Sequence, residues 1–329
     1  MWVSPADLGL LKSITETKTK LSKKGFDKTR ALPAGSVLVT CIGSTIGKMG
    51  MTTRETSTNQ QINAIVVNKS NNNEFVYYAV QSAFPKYLSS IAVQAVPIIS
   101  KSSFELLPNY RPSIQEQEKI GRLFALLDER IATQSKIIED LKKLKSTISK
   151  KLLDNDRWTT HKIQDIAKIG RGRVISSVEI ERQKHPLYPV YSSQTSNDGI
   201  MGYLDDYMFD GEYITWTTDG ANAGTVFYRK GKFNCTNVCG TLKIQPKYDC
   251  YFVSLVLQQA TQKYVSFNLA NPKLMNNIMA SIKIKMPDIE MQKQLSKIFQ
   301  TLDSCLLVHQ RTCDMYSREK QYLLCQMFI

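Results

Sequence analysis

The chain contains no apolar run approaching the roughly 18 residues that cross a bilayer, which excludes a helical membrane protein. Its opening stretch, Met1–Ser13, has neither the charged lead nor the apolar core of a secretory signal, so a cytoplasmic protein with no membrane partner is expected. Histidine is scarce, and His161, His185 and His309 stand far from one another. The seven cysteines are odd in number and mostly dispersed, which reads as reduced core thiols rather than a disulfide framework. Cys235 and Cys239 are close, but no second pair follows them, so no metal is expected.

Catalytic signatures are also missing. Gly43-Ser44-Thr45-Ile46-Gly47-Lys48-Met49 resembles a phosphate loop, yet it has three residues between its glycines instead of four and Met where a hydroxyl must meet Mg²⁺. Gly170-Arg171-Gly172 lacks the third glycine of a dinucleotide site. No Asn-Pro-Pro-aromatic or Asp-Pro-Pro-Tyr motif is present, and Asn271-Pro272-Lys273 is not one, so methylation of a flipped base is not encoded. Asp288, Glu290 and Lys293 suggest nuclease carboxylates but share one helix entrance, where capping is the simpler role. No catalytic residue and no cofactor are expected in this chain.

What is abundant is positive charge and repetition. The 329 residues carry 43 Lys and Arg against 29 Asp and Glu, a net charge of +14 that points to an anionic partner. Pro112-Ser113-Ile114-Gln115-Glu116-Gln117, with Phe124, Leu127 and Asp128, recurs 175 residues later as Pro287-Asp288-Ile289-Glu290-Met291-Gln292, with Phe299, Leu302 and Asp303. Pro and an acidic first turn suit a helix entrance. A 3.5-residue apolar seam follows in each copy. The first helix supplies Ile120, Phe124, Leu127, Ile131, Ile138, Leu141 and Ile148, and the second supplies Leu295, Phe299, Leu302, Leu306 and Leu323. Polar breaks fall at equivalent places, Gln134 with His309 and Lys145 with Lys320. The two helices are therefore expected to pair as a coiled coil.

The segments between the helices correspond more weakly. Short β-branched and aromatic runs (37–40, 62–67, 213–217, 225–228, 241–244) and helices near 74–83 and 251–260 indicate an α+β domain used twice. The expected organisation is a first globular domain over 1–111, a helix over 112–156, a second globular domain over 157–286 and a helix over 287–329. With Gly35 matched to Gly211, Met1 falls opposite Ser177, so the first domain is expected to lack a counterpart of 157–176 and to be N-terminally incomplete.

The charge surplus lies in the domains: +7 in 1–111 (13 basic, 6 acidic) and +6 in 157–286 (16 and 10), against +1 (9 and 8) and 0 (5 and 5) in the helices. Two basic domains joined to near-neutral rods suit a polyanion gripped at two places. Loop Asn, Gln, Ser and Thr can reach base edges, and Lys or Arg beside Gly can approach phosphates. The candidates are Thr45, Lys48, Thr58, Asn59 and Gln60 in the first domain. In the second they are Arg171, Arg173, Ser192, Gln194, Thr195, Thr218, Asn222 and Lys273.

The paired Pro-led helices with Leu127-Asp128 and Leu302-Asp303 resemble the conserved helices of the DNA-specificity subunit of type I restriction-modification systems. The globular segments resemble its target recognition domains, through Trp158 with Ile166, Tyr188-Pro189-Val190-Tyr191-Ser192, Gly199 with Gly202-Tyr203, and Thr58-Asn59-Gln60. The resemblance implies two target-recognition-type domains with twisted sheets and an antiparallel helix pair. It implies a non-catalytic protein that reads a bipartite site in double-stranded DNA, the helices serving as a ruler about 55–60 Å long. It also implies two methylation (M) subunits using S-adenosylmethionine and restriction (R) subunits using ATP and Mg²⁺, cofactors carried by the partners. The alternative is a partial or degenerate subunit, a scaffold or recombination donor in which only the second domain binds DNA.

Overall fold

Each proline-led motif starts a 39-residue helix, Ile114–Leu152 and Ile289–Met327. The structure, a computed structural model, describes residues 1–9, 11–89, 98–153, 155–266 and 271–328. It divides into two units, Met1–Glu139 with Leu307–Ile329 and Asp140–Leu306, so both divisions fall inside the long helices rather than at their ends. Among the described residues no helix is long and apolar enough to cross a membrane.

The recurring glutamine has a physical role that its position in the sequence did not disclose. Gln117 is buried; its side chain donates to Pro112 O (3.0 Å) and accepts from Asn72 N (3.0 Å). Gln292 repeats both bonds with Pro287 O (2.8 Å) and Asp249 N (3.0 Å). Asn72 and Asp249 in turn accept from Phe75 N and Phe252 N, the first turns of helices Asn73–Ser89 and Cys250–Ala260. One amide thus ties the entrance of each long helix to the start of the helix that precedes it. At Asp288 the side chain accepts from Met291 N (2.9 Å), a capping bond.

In the second unit a four-stranded antiparallel sheet runs in the order Val226–Lys230, Glu212–Thr217, Cys239–Ile244, Ala167–Arg171. Cys250–Ala260 covers it with the apolar residues Phe252, Val253 and Leu257. A second sheet places Tyr188–Tyr191 between Ile200–Leu204 and the parallel strand Asn234–Cys235, and Thr159–Lys162 pairs with Lys283–Met286. In the first unit the order is Ser13–Ile14, Met49–Thr52, Val37–Thr40, Ile62–Ile65, packed against Asn73–Ser89. The central three strands match those of the second unit, with Thr40 equivalent to Thr217 and Gly47 to Gly224 by their shared turn bonds. The phosphate-loop-like run is this turn, with Gly43 and Gly47 at φ +96° and +88°, where a Cβ would be strained.

The correspondence near the N-terminus differs from the one expected. Trp2–Val3 pairs in parallel with Ser57–Thr58 as Val190–Tyr191 pairs with Asn234–Cys235, which sets Met1 opposite Pro189 rather than Ser177. A single offset fails because the first unit spends 32 residues between Val3 and Gly35, including the helix Lys23–Phe26, where the second spends 20 between Tyr191 and Gly211. Among the described residues of the first unit, nothing corresponds to Thr159–Lys162, Ile163–Ile166 or Ala167–Arg171.

The twelve seam residues are all buried or half-buried, Phe124 and Phe299 completely. Within the first unit, Lys320 meets Asp128 (2.6 Å), His309 Nδ1 lies 2.7 Å from Gln134 Oε1, and Cys313 Sγ reaches Ile131 O, so the two helix portions run antiparallel. Within the second, Lys145 pairs with Asp303, and Ile148, Leu295, Phe299 and Leu302 share one core. Each aspartate also accepts from a buried tyrosine: Tyr78 on Asp128 (2.6 Å) and Tyr251 on Asp303 (2.5 Å). The polar breaks in the apolar seam are the contacts between the helices.

Candidate nucleic-acid interface

Antiparallel pairing brings four chain segments of the second unit to one end of its sheet. The strands Ala167–Arg171 and Glu212–Thr217 finish there, and Val226–Lys230 and Cys239–Ile244 begin there. The loops at that end carry Arg171, Thr218, Asn222 and Asn237. Arg171 is exposed and fixed: Nε donates to Asn237 O and Nη2 to Thr218 Oγ1 (3.2 Å). Thr218 is fully buried, so its hydroxyl orients Arg171 rather than facing solvent. Asn222 Nδ2 donates to Ser193 O (3.2 Å), which joins this loop to the 192–199 loop.

That second loop carries Ser192, Gln194 and Thr195. Gln194 N donates to Ser192 Oγ (3.4 Å) and its side chain to Ile200 O, while Thr195 is exposed. Lys273 lies opposite Asp219 (3.7 Å) in an antiparallel bridge on the same loop cluster. Arg173 is held by Glu179 through both guanidinium nitrogens, and this contact pulls the Glu179 carboxyl below its ordinary value. In the first unit Thr45 and Lys48 occupy the turn equivalent to Gly220–Gly224, and Thr58, Asn59 and Gln60 the turn equivalent to 235–237. Asn59 is engaged with Gln61 on both sides of its amide, whereas Lys48 and Gln60 are exposed.

Sequence reasoning missed Arg229. Its side chain is 3% exposed, stacks 3.6 Å from the Tyr191 ring centroid and 4.4 Å from that of Phe227, and bonds Asp198 Oδ2 (2.7 Å) and Asp198 O (2.8 Å). Asn197 and Asp198 take positive φ (49° and 53°), a conformation that costs non-glycine residues energy unless something holds it. Arg229 holds it, and so shapes the loop that presents Gln194 and Thr195. A cation in an alternating strand reads as surface; the signal that could have exposed it is aromatic Phe227 two residues away on the same face.

Cys235 and Cys239 are buried, and burial pushes both thiols up, away from the thiolate that a metal needs. Among the described residues no group of three or more His, Cys, Asp or Glu side chains could hold a metal.

Residues 2–143 and 155–313 match the family model described as type I restriction modification DNA specificity domain. A Mycoplasma pneumoniae protein assigned as a type I specificity subunit is 34% identical over 254 residues, 74% of this chain and 93% of its own. The specificity subunit of the type I restriction enzyme MpnII, from the same organism, is 39% identical over 178 residues, 53% of each chain. The fold is similar to a crystal structure of a type I restriction-modification S subunit from M. genitalium, with a TM-score of 0.73 at 16% identity over 99% of this chain and 91% of that one. Basic domains used twice, long paired helices and the match over both halves lead to one assignment: the chain belongs to the type I restriction-modification DNA specificity family, whose members supply sequence specificity and not catalysis.

Proposed function

We propose that this chain reads a bipartite duplex target, one half with each domain, and directs methylation and restriction subunits to it. The observation that carries this reading is the loop cluster at one end of the second sheet, where Arg171 is exposed yet oriented by Thr218 and Asn237. An arginine fixed in this way can engage guanine through two hydrogen bonds. The partners carry S-adenosylmethionine, ATP and Mg²⁺. In a second reading only the second domain binds DNA. It is favoured by the first unit's lack, among the described residues, of a strand equivalent to Ala167–Arg171 and hence of an arginine at that place.

Adenine methylation mapped across a genome, with the chain and its methylation subunits present or with the chain deleted, tests both readings. A bipartite motif that vanishes on deletion is expected. Arg171→Ala should cost about 1–3 kcal/mol and relax one half of the motif. A motif with a single recognised half would favour the second reading, and an unchanged methylome would reject both.

A further inference from the structure

The two units supply each other's control, because each position of one can be compared with its counterpart in the other. In the second unit Trp158 packs on Phe252 (centroids 5.8 Å apart), Thr159–Lys162 pairs with Lys283–Met286, and Ala167–Arg171 closes the sheet against Cys239–Ile244. These elements form one continuous stretch of chain. The first unit keeps the surfaces that this stretch covers. Phe75 stands where Phe252 stands, Leu107–Arg111 where Ile282–Met286 stand, and Ile62–Ile65 where Cys239–Leu242 stand.

All three surfaces are open among the described residues. Ile62–Ile65 pairs with Val37–Thr40 on one side and with no strand on the other. The backbone amides of Asn109, Tyr110 and Arg111 donate to no described residue, although Tyr87 OH on Pro108 O and Asn109 Nδ2 on Tyr87 OH (3.1 Å) hold the segment in place. Between this segment and Phe75 lies a cavity of about 680 Å³, also lined by Ala79, Ala83 and Ile120. Its rim leaves Leu106 83% and Tyr110 87% exposed, unusual values for large apolar side chains. Unpaired strand edges beside an apolar cleft are the components of a β-augmentation site.

We propose that this face of the first unit is a receptor for a tryptophan-led polypeptide segment with the chemistry of Asn155–Ile175, supplied by another polypeptide. The tryptophan fills the cleft over Phe75, the residues after it pair with Asn109–Arg111, and a following strand adds to the edge of Ile62–Ile65. The occupant is specified by the internal copy, which seats that sequence on the equivalent residues. The proposal is independent of any reading of DNA contacts.

The test uses the full chain and a dye-labelled synthetic peptide, residues 155–175, followed by fluorescence anisotropy and by hydrogen exchange of the protein. The expected result is saturable 1:1 binding that slows exchange at 62–65 and 107–111. Trp158→Ala in the peptide should weaken binding at least about tenfold, as truncation of a buried aromatic anchor does. Ala83→Trp in the protein should abolish binding by filling the cleft. Because that variant could disturb the first unit, the exchange map of the unaltered protein is the second readout. Absence of binding, binding indifferent to Trp158, protection confined to 239–244 and 283–286 by strand exchange into the second unit, or closure of the cleft by self-association of the chain would each overturn the proposal.

Discussion

Where the second unit lays Trp216 across its strand partner Gly240, the first unit sets Val39 beside Asn63 at the same register position. Trp216 is fully buried and donates to Leu274 O (2.9 Å), and a Cβ on Gly240 would lie 2.2 Å from its ring. In the first unit the volume is divided more evenly, and Asn63 Nδ2 is buried without a hydrogen-bond partner among the described residues. The sheet is kept while the pairing of large with small is redistributed. A duplicated fold can therefore drift in sequence at every core pair, provided each pair still fills its space.

The largest effect should come from forcing one unit's solution on the other. Gly240→Asn is expected to cost about 3–5 kcal/mol, since the indole cannot retreat within a filled core. Adding Trp216→Val to that variant should recover part of the loss, measured by chemical denaturation of the single and double variants. If the double variant is no more stable than Gly240→Asn alone, the two positions are not the interchangeable pair that the register makes them.

A smaller effect separates the two aspartates between the long helices. Asp128 is 20% exposed and its partner Lys320 15%, whereas Asp303 and Lys145 are 40% and 25% exposed. Removing one member of a shielded pair strands the other charge, while solvent screens the same loss at the more open site. Asp128→Ala should cost about 2–3 kcal/mol and Asp303→Ala about 1 kcal/mol. Equal losses would mean that the tyrosine bonds, common to both, dominate.

Much of this was legible in the sequence, and the reasons follow from periodicity. The long helices repeat every 3.5 residues over 39 positions, so Phe124 and Phe299 could be placed in the interior from spacing alone. The strand Val37–Thr40 is continuous β-branched and aliphatic residues. Met49–Thr52 was not legible, because Met-Gly-Met-Thr has neither alternation nor β-branching and is held by neighbours on both sides. Nor was the correct opposition of Met1, since an added 12 residues of loop leave no trace in a helix-based offset. At the candidate interface the residue types were legible but their states were not. Thr218 lies under Arg171, Arg173 is tied to Glu179, and Arg229 is buried between two rings; all three depend on contacts between residues distant in sequence.

The smallest difference expected is in alkaline stability. The first unit has one thiol pushed up by burial, Cys41, and the second has three, Cys235, Cys239 and Cys250. Cys250 sits in the first turn of Cys250–Ala260, where burial foremost, and then the charges of Glu212 and Asp249, raise it from an ordinary 9.0 to about 12. A group raised on folding favours the folded state fully below its unfolded value, and loses that contribution as pH rises toward the folded one. Between pH 9 and about 12 the second unit should therefore weaken more than the first. The buried tyrosines Tyr77 and Tyr78 in the first unit, and Tyr228 and Tyr251 in the second, are also raised, but they add to the loss only above about 10, where phenols in the unfolded chain ionise. Thermal melting at closely spaced pH values, with hydrogen exchange to separate the units, should show the second unit softening first from about pH 9. Cys250→Ala should start less stable at pH 8 and fall less steeply toward pH 10, because its counterpart, Asn73, shows that the position tolerates a side chain that does not ionise. Parallel decline of the variant and the parent would assign the alkaline loss to the other two thiols of that unit.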